Sequence, residues 1–362
     1  DSGAAQRITS RLISGFGVKN IQWAVVVAGF IVGVPMFYSV GFVILIPLVF
    51  TVAASSGLPL IYVGLPMLAS LSVTHGFLPP HPAPTAISGM FNADIGKTLL
   101  YGIIIAIPAI IIAGPLFTRT IKNINATPLK EFYNPIILKD EEMPGMGVSV
   151  FTALLPVILI IFSSVFNIIF TEDTFLKEII LFIGNPVIAM LLSVLVAIYT
   201  LGLSRGKKME ELMNSVSSSV SSITMVLLII SGAGALKQIL IDSGVSNYIG
   251  ASLDGSQISP LILAWLIATV IRVCVGSATV AGLTAAGIVL PLVSNSDISP
   301  ELMVLAIGSG SLMLSHVNDA GFWMFKEYFN LTVKETLSTW TVMETIVGIT
   351  GLVGVLILNI FI

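Results

Sequence analysis

"THGFLPPHPAPTAISG", residues 74–89, is the stretch whose reading decides the fold. It carries four prolines (Pro79, Pro80, Pro82, Pro84) and two of the three histidines in the chain, His75 and His81. Apolar segments lie on both sides of it. Proline removes an N–H donor and clashes with the preceding turn, so a helix cannot run through this stretch unbroken. Broken backbone is tolerated at membrane depth only where protein or a water-filled cavity receives its polar groups. The stretch therefore predicts a helix interrupted inside a membrane, next to a site.

The composition places the chain in a bilayer. Of 362 residues, 56% are hydrophobic and 10% charged, against roughly 25% charged for a soluble domain. The expected class is an all-α polytopic membrane protein. The net charge of −3 comes without any basic cluster, so nucleic acid is not an expected partner. One cysteine, Cys274, excludes a disulfide framework, and its apolar surroundings assign it to packing. The opening "DSGAAQRI" reads as a loop or a helix end.

A spanning helix needs about 20 apolar residues. Segments 98–117, 148–170, 184–203, 220–241 and 339–362 qualify. Residues 23–34 and 42–54 are shorter arms around "GVPMFYSVG", and 260–273 and 279–293 are shorter arms around "CVGSATVAG". Paired short arms about a Gly-rich or polar tip predict re-entrant hairpins. Residues 58–73 and 301–315 each run into a polar break. The hydrophilic stretch 118–147, with Arg119, Lys122, Lys130 and Lys139 among Asp140, Glu141 and Glu142, reads as a linker.

The chain also repeats itself. "DSGAAQRI" (1–8) returns as "DSGVSNYI" (242–249), "LIPLV" (45–49) as "VLPLV" (289–293), "SVTHGF" (72–77) as "MLSHVN" (313–318), and "FNADIGKTL" (91–99) as "FNLTVKETL" (329–337). The four matches keep one order and nearly one offset, and they pair His75 with His316. Lys and Arg mark cytoplasmic loops. Arg7, Arg11 and Lys19 follow the first DSG, whereas only Asp254 follows the second. The 118–147 linker and the 204–214 loop (Arg205, Lys207, Lys208) are both positive and stand two spans apart. The 171–183 loop between those spans has more acids than bases. The two repeats are thus expected to be inverted, each with a hairpin and a broken helix. Residues 1–117 form repeat 1, 118–147 a cytoplasmic linker, and 148–362 repeat 2 with its preceding helices. Repeat 2 has helices ahead of its DSG and repeat 1 has none, which predicts one or two further helices upstream.

Broken helices in corresponding places of inverted halves point to a midplane binding site, with dipoles that suit an anion. "SHVNDAGF" (315–322) is the counterpart of the proline break. Asp319 within it is costly to bury as an anion, so it is either a proton carrier or substrate contact, or a cap on a half-helix. His75 and His316 are either proton-linked hydrogen-bonding groups or buried neutral histidines, and His81 could face a vestibule. Arg272 either receives a substrate carboxylate in a bidentate fashion or pairs structurally with Asp319 or Glu344. Tyr38, Ser39, Ser277 and Thr279 mark the hairpin tips, where hydroxyls reach a ligand or cap helices. Asn318 is a further hydroxyl-binding candidate. Asp94 and Lys97 read as a local ion pair. No metal signature is present, since no histidine pair has the spacing of H-E-x-x-H. The absence of a nucleophile–base motif disfavours an intramembrane enzyme, the alternative of a different class.

The strings "FLPPHPAPTA", "ADIGKTLLYG", "AGPLF", "LKQILIDSG", "RVCVGSATVA", "SHVNDAGFW", "KEYFNLTVKETL" and "TWTVMETI" resemble the gluconate:proton symporter family of the ion-transporter superfamily, over essentially the whole chain. The resemblance implies a proton-coupled importer of gluconate or a similar sugar acid in a bacterial inner membrane. It implies a homodimer with scaffold and transport regions, no cofactor, and roughly 80–100 further residues upstream. The family also includes carriers of D-serine and other hydroxy acids, and "SHVNDAGFW" is more similar to the gluconate branch. One departure stands out. The family pattern F/Y-E-V-G-F reads "YSVGF" here, with Ser39 where a proton-carrying glutamate is expected. Either Ser39 is a substitution that holds the protein in one state, so that binding survives while active transport is lost, or coupling falls to Asp319.

Overall fold

The computed structural model describes residues 2–121, 138–170, 174–222, 258–294 and 298–362, with scattered positions between them. Among the described residues every regular element is helical. The opening residues start a helix and are not a loop. Gly3 takes a left-handed φ of 77°, and α1 (Ala4–Phe16) buries Ala5 and Ile8. Arg7 on α1 is also buried, because the 138–144 segment receives its guanidinium. Nε donates to the Pro144 carbonyl at 2.8 Å, and Nη1 lies 2.5 Å from Asp140. Gly17 ends α1, and the chain re-enters at 114° as a helical turn leading into α2 (Ile21–Gly33).

Two pairs of short helices follow the expected hairpin pattern. In the first, α2 meets α3 (Tyr38–Ser56) across Val34–Phe37. The two glycines of "GVPMFYSVG", Gly33 and Gly41, and its proline explain the turn: Pro35 supplies no N–H, and Gly33 lets α2 lie close to Leu71 and Thr74 of α4. In the second pair, α11 (Pro260–Val275) meets α12 (Ala278–Ser294) at Gly276. Gly276 sits at φ 82°, and a Cβ there would overlap the Asn318 carbonyl, so both conformation and space require glycine.

Two broken helices fill the centre. The first is α4 (Leu60–Phe77), interrupted at Leu78–His81 and resumed as α5 (Pro82–Phe91). Almost all of α4 is buried, with α2, α3 and α6 (Ile95–Leu116) against it. The second is α13 (Pro300–Gly310), interrupted over Ser311–Asp319 and resumed as α14 (Ala320–Tyr328). The long helix α15 (Val333–Leu358) crosses α13 and α6. Its close approach runs through Gly348 and Gly351, which meet Met313 and Ser309. Trp265 Nε1 of α11 donates to the Gly348 carbonyl at 3.0 Å.

Helices α7 (Met146–Ile169), α8 (Phe175–Gly184) and α9 (Pro186–Arg205) stand at the periphery, followed by α10 (Met209–Ser222) over part of the 204–214 stretch read as a loop. Large apolar side chains such as Ile107, Phe162, Phe182, Val187 and Leu195 face outward. In water such a surface would be an association site; here it suits lipid tails. Four of the five expected spans coincide with long apolar helices, at Ile95–Leu116, Met146–Asn167, Pro186–Arg205 and Val333–Leu358. The fifth long run is Leu60–Phe91, which the sequence presents as an apolar stretch, 58–73, running into a polar break. Most of the expected 220–241 span and part of the second DSG motif, together with Asp254 and the middle of the 118–147 linker, lie outside the described residues.

Two local readings are corrected. Cys274 is exposed, because it follows Val270 by one helical turn on the outward face of α11. Asp94 does not reach the Lys97 ammonium; it caps α6, with Oδ1 accepting from the Lys97 backbone N–H at 2.8 Å.

Candidate functional site

A cavity of about 440 Å³ opens where the two hairpin tips, the second break, α4 and α15 meet. Its size falls within the range of roughly 300–1,000 Å³ usual for small-molecule sites. Three helices begin on its wall. Tyr38 and Ser39 open α3, Ala278 and Thr279 open α12, and Ala320 and Gly321 open α14. The first N–H groups of a helix have no partner within the helix, and the backbone dipole leaves them partly positive. Three such ends around one cavity favour an anionic ligand.

The second break is clipped to the second hairpin. The Arg272 guanidinium is buried; Nη1 donates to the Gly276 carbonyl and Nη2 pairs with Asp319 Oδ2. Asp319 also accepts from the Ser315 hydroxyl at Oδ2, and from the Gly321 N–H at Oδ1, 3.0 Å away, as the cap of α14. Ser315 is held in turn by α15. Trp340 Nε1 donates to its hydroxyl at 2.7 Å and Thr341 Oγ1 to its carbonyl at 2.5 Å. Asn318 Nδ2 donates to the Val273 carbonyl at 2.7 Å. Thus Asp319 both caps a helix and pairs with Arg272, while both residues line the cavity.

The first half contributes neutral polar groups. Tyr38, Ser39, Ser72 and His75 line the cavity. The Tyr38 hydroxyl, His75 Nδ1 and Arg272 Nε are buried and have no hydrogen-bond partner among the described residues. Buried polar atoms are ordinarily paired, so three orphans on residues of one cavity wall point to a polar occupant. Glu344 of α15 lies on the same wall, 2% exposed, with Ser72 Oγ 2.6 Å from Oε1 and 2.8 Å from Oε2.

The structure brings together Tyr38, Ser39, His75, Arg272, Ser277, Thr279, Asn318 and Asp319 of the candidates read from sequence. It places two elsewhere. His81 is buried behind the wall, where Nε2 donates to the Gly33 carbonyl at 2.8 Å and the ring meets His75 edge-on at 5.0 Å. The Pro-rich break therefore reaches the cavity only through His75, and its other histidine holds the end of α2. His316 is not on the wall; its carbonyl accepts the Asp319 N–H at 2.9 Å within the turn. Sequence reasoning gave Glu344 no role beyond pairing with Arg272, and it passed over Ser72, Ser315 and Trp340. Glu344 had a legible signal, as the one charged residue in the apolar run 339–362. The others had none, since serines and a tryptophan are ordinary in packed helices. Among the described residues no cluster of three or more His, Cys, Asp or Glu could hold a metal.

The profile of the GntP family permeases matches residues 1–361. A high-affinity gluconate transporter of Escherichia coli K12 is 54% identical over 359 residues, which cover 99% of this chain and 82% of the relative. The Gnt-II system L-idonate transporter of the same organism is 51% identical over 359 residues, with the same coverage. A gluconate permease of Bacillus licheniformis is 50% identical over 372 residues, covering 100% of this chain and 83% of the relative. Among solved structures, MtrF of Neisseria gonorrhoeae, of a class of antimetabolite efflux pumps, superposes with a TM-score of 0.70 at 15% identity. That match covers 99% of this chain and 78% of MtrF. The YdaH transporter of Alcanivorax borkumensis gives 0.65 at 17% identity, covering 99% and 82%. These two similarities bear on the fold alone.

Proposed function

Because the chain belongs to the GntP permease family and is a multi-pass membrane transporter, not an enzyme, we propose that it imports gluconate or a closely related sugar acid across a bacterial inner membrane by proton-coupled secondary transport. The observation that carries this reading is the convergence of three helix N-termini and Arg272 on one cavity whose wall holds three unpartnered polar atoms. A sugar acid is a carboxylate on a chain of hydroxyls. Its carboxylate belongs at the helix ends, near Arg272 Nε. Its hydroxyls belong with Tyr38, Ser39, Ser277, Thr279, Asn318 and His75. Relatives named for gluconate and for L-idonate agree with a site that takes this class.

The order of elements repeats: α2 to α6 and α11 to α15 each run as a short pair, a broken helix and a long helix. We read the halves as inverted repeats and the protein as a homodimer that works by alternating access. A proton bound with the substrate favours the closed, moving state only by binding it better than the open one. Position 39 enters here, since serine cannot titrate and the proton must be carried elsewhere in the cavity.

The test is uptake of labelled gluconate by the protein in proteoliposomes under an inward proton gradient, beside its Ser39→Glu variant. Saturable accumulation that unlabelled L-idonate competes away and D-serine does not supports the reading. Accumulation of D-serine in place of gluconate assigns the protein to a hydroxy-acid branch. Gluconate entry that never exceeds the outside concentration in the parent but does so in Ser39→Glu places coupling at position 39.

A further inference from the structure

Glu344 is the least explained charge in the molecule. It is buried on α15 and lines the cavity, yet among the described residues no cation approaches it within 4.0 Å. Its only hydrogen-bond partner among the described residues is one hydroxyl, Ser72 on α4, which is close to both carboxyl oxygens at once. Two short contacts join three oxygens here. The Ser72 hydroxyl can donate to both oxygens of the anion as a three-centre bond. With the carboxyl group protonated each contact has its own hydrogen: the acid O–H donates to Ser72 Oγ while the serine hydroxyl donates to the carboxyl C=O, closing a small ring.

Asp319 is built differently. Its oxygens already accept from the Arg272 guanidinium, the Ser315 hydroxyl and the Gly321 N–H. A proton arriving there would cancel the charge that strengthens the bonds holding the second break to the second hairpin. The other groups that face Glu344 are Arg272 from α11, Asp319 from the start of α14, Tyr38 from α3 and His75 from α4. The charges on α6 and α13 sit away from it, where the Asp94 N–H donates to Glu301 at 3.0 Å.

We propose that Glu344, closed onto Ser72, takes up and releases the coupled proton, a role the sequence suggests for Asp319 or position 39; the proposal rests on the transport reading above. On release the carboxyl O–H bond breaks, its electron pair stays on the carboxylate, and the proton passes to water in the cavity. Ser72 keeps one hydrogen bond to the anion. Substrate and proton are linked by charge. A sugar acid enters as an anion beside the Arg272–Asp319 pair. With Glu344 neutral it adds one negative charge to a balanced pair, and with Glu344 ionised it faces a second like charge across a small cavity, which disfavours binding.

The experiment separates exchange from accumulation. Glu344→Gln keeps a neutral group that can bond Ser72 and cannot release a proton. It is expected to retain exchange of labelled for unlabelled gluconate across the liposome membrane, at a rate that no longer varies with pH, and to fail to concentrate it under a proton gradient. Concentrative uptake by Glu344→Gln would overturn the proposal. A second readout needs neither substrate nor transport: infrared difference spectra of the purified protein across a pH step. A protonated-carboxyl band is expected in the parent, absent in Glu344→Gln and shifted in Ser72→Ala. A band that survives Glu344→Gln and disappears in Asp319→Asn overturns the assignment. If the parent shows the Glu344 band but exchanges no gluconate, the substrate reading fails and the proton site stands.

Discussion

The Tyr38 hydroxyl illustrates what a single side chain does here. Its ring is packed between Phe42 and Trp340, with centroids 6.0 and 5.6 Å away, so the phenol cannot swing. The hydroxyl itself has no partner among the described residues. Such a group costs the empty protein its desolvation and gains a hydrogen bond only when a ligand arrives. Tyr38→Phe is therefore expected to keep or raise the melting temperature. It should weaken sugar-acid binding by about 0.5–1.5 kcal/mol, the net worth of one neutral hydrogen bond, read by calorimetric titration. A drop in melting temperature with unchanged affinity would assign Tyr38 to packing instead. Ser39 begins the same helix end and is exposed. Its neighbour's unused hydroxyl is invisible in sequence, because the ring that fixes it, Trp340, comes from α15 at the other end of the chain.

At the scale of elements, the second break is a clip between three helices. Ser315 joins Trp340 and Thr341 of α15 to Asp319, and Asp319 joins Arg272 of α11. Ser315→Ala leaves the buried Trp340 N–H without its acceptor, which costs about 1–3 kcal/mol. Thermal unfolding should show that loss, and substrate affinity should fall too, because Asp319 and the start of α14 lose their anchor. A melting curve matching the parent would show that Trp340 finds another acceptor. The first break is arranged otherwise. His81 ties it to the end of α2, so the prolines shape the support of hairpin tip 1 and the wall is left to His75. The short arms, the polar tips and the proline break were all legible from residue spacing, because backbone chemistry is local. The unequal use of the two breaks was not, since it depends on which helix each break leans against.

For the whole molecule, the charges of the cavity come from one half. Arg272, Asp319 and Glu344 lie on α11, the start of α14 and α15, whereas the first half supplies Tyr38, Ser39, Ser72 and His75. If Glu344 is the one proton carrier, one proton accompanies one substrate anion and no net charge crosses the membrane. Uptake is then expected to respond to an imposed pH gradient and to be indifferent to a potassium diffusion potential set with an ionophore in the same proteoliposomes. Uptake driven by the potential alone, at equal pH on both sides, would require a further proton site. Among the described residues the element order repeats, and the charges that line the cavity come from one copy of it only.

The sequence alone determined that this chain lives in a bilayer, is helical, breaks two helices and folds two short helical pairs. Each follows from forces acting between near neighbours: burial of long apolar runs, missing proline N–H groups, and the freedom of glycine. It also carried the resemblance to sugar-acid symporters. Tertiary structure alone decided which of these features share a cavity. It placed His316 off the wall and His81 behind it, joined Arg272 to Asp319, and closed Glu344 on Ser72, 272 residues away in the chain. Those pairings depend on helices packed side by side from opposite ends of the sequence, and no local pattern encodes the distance between them.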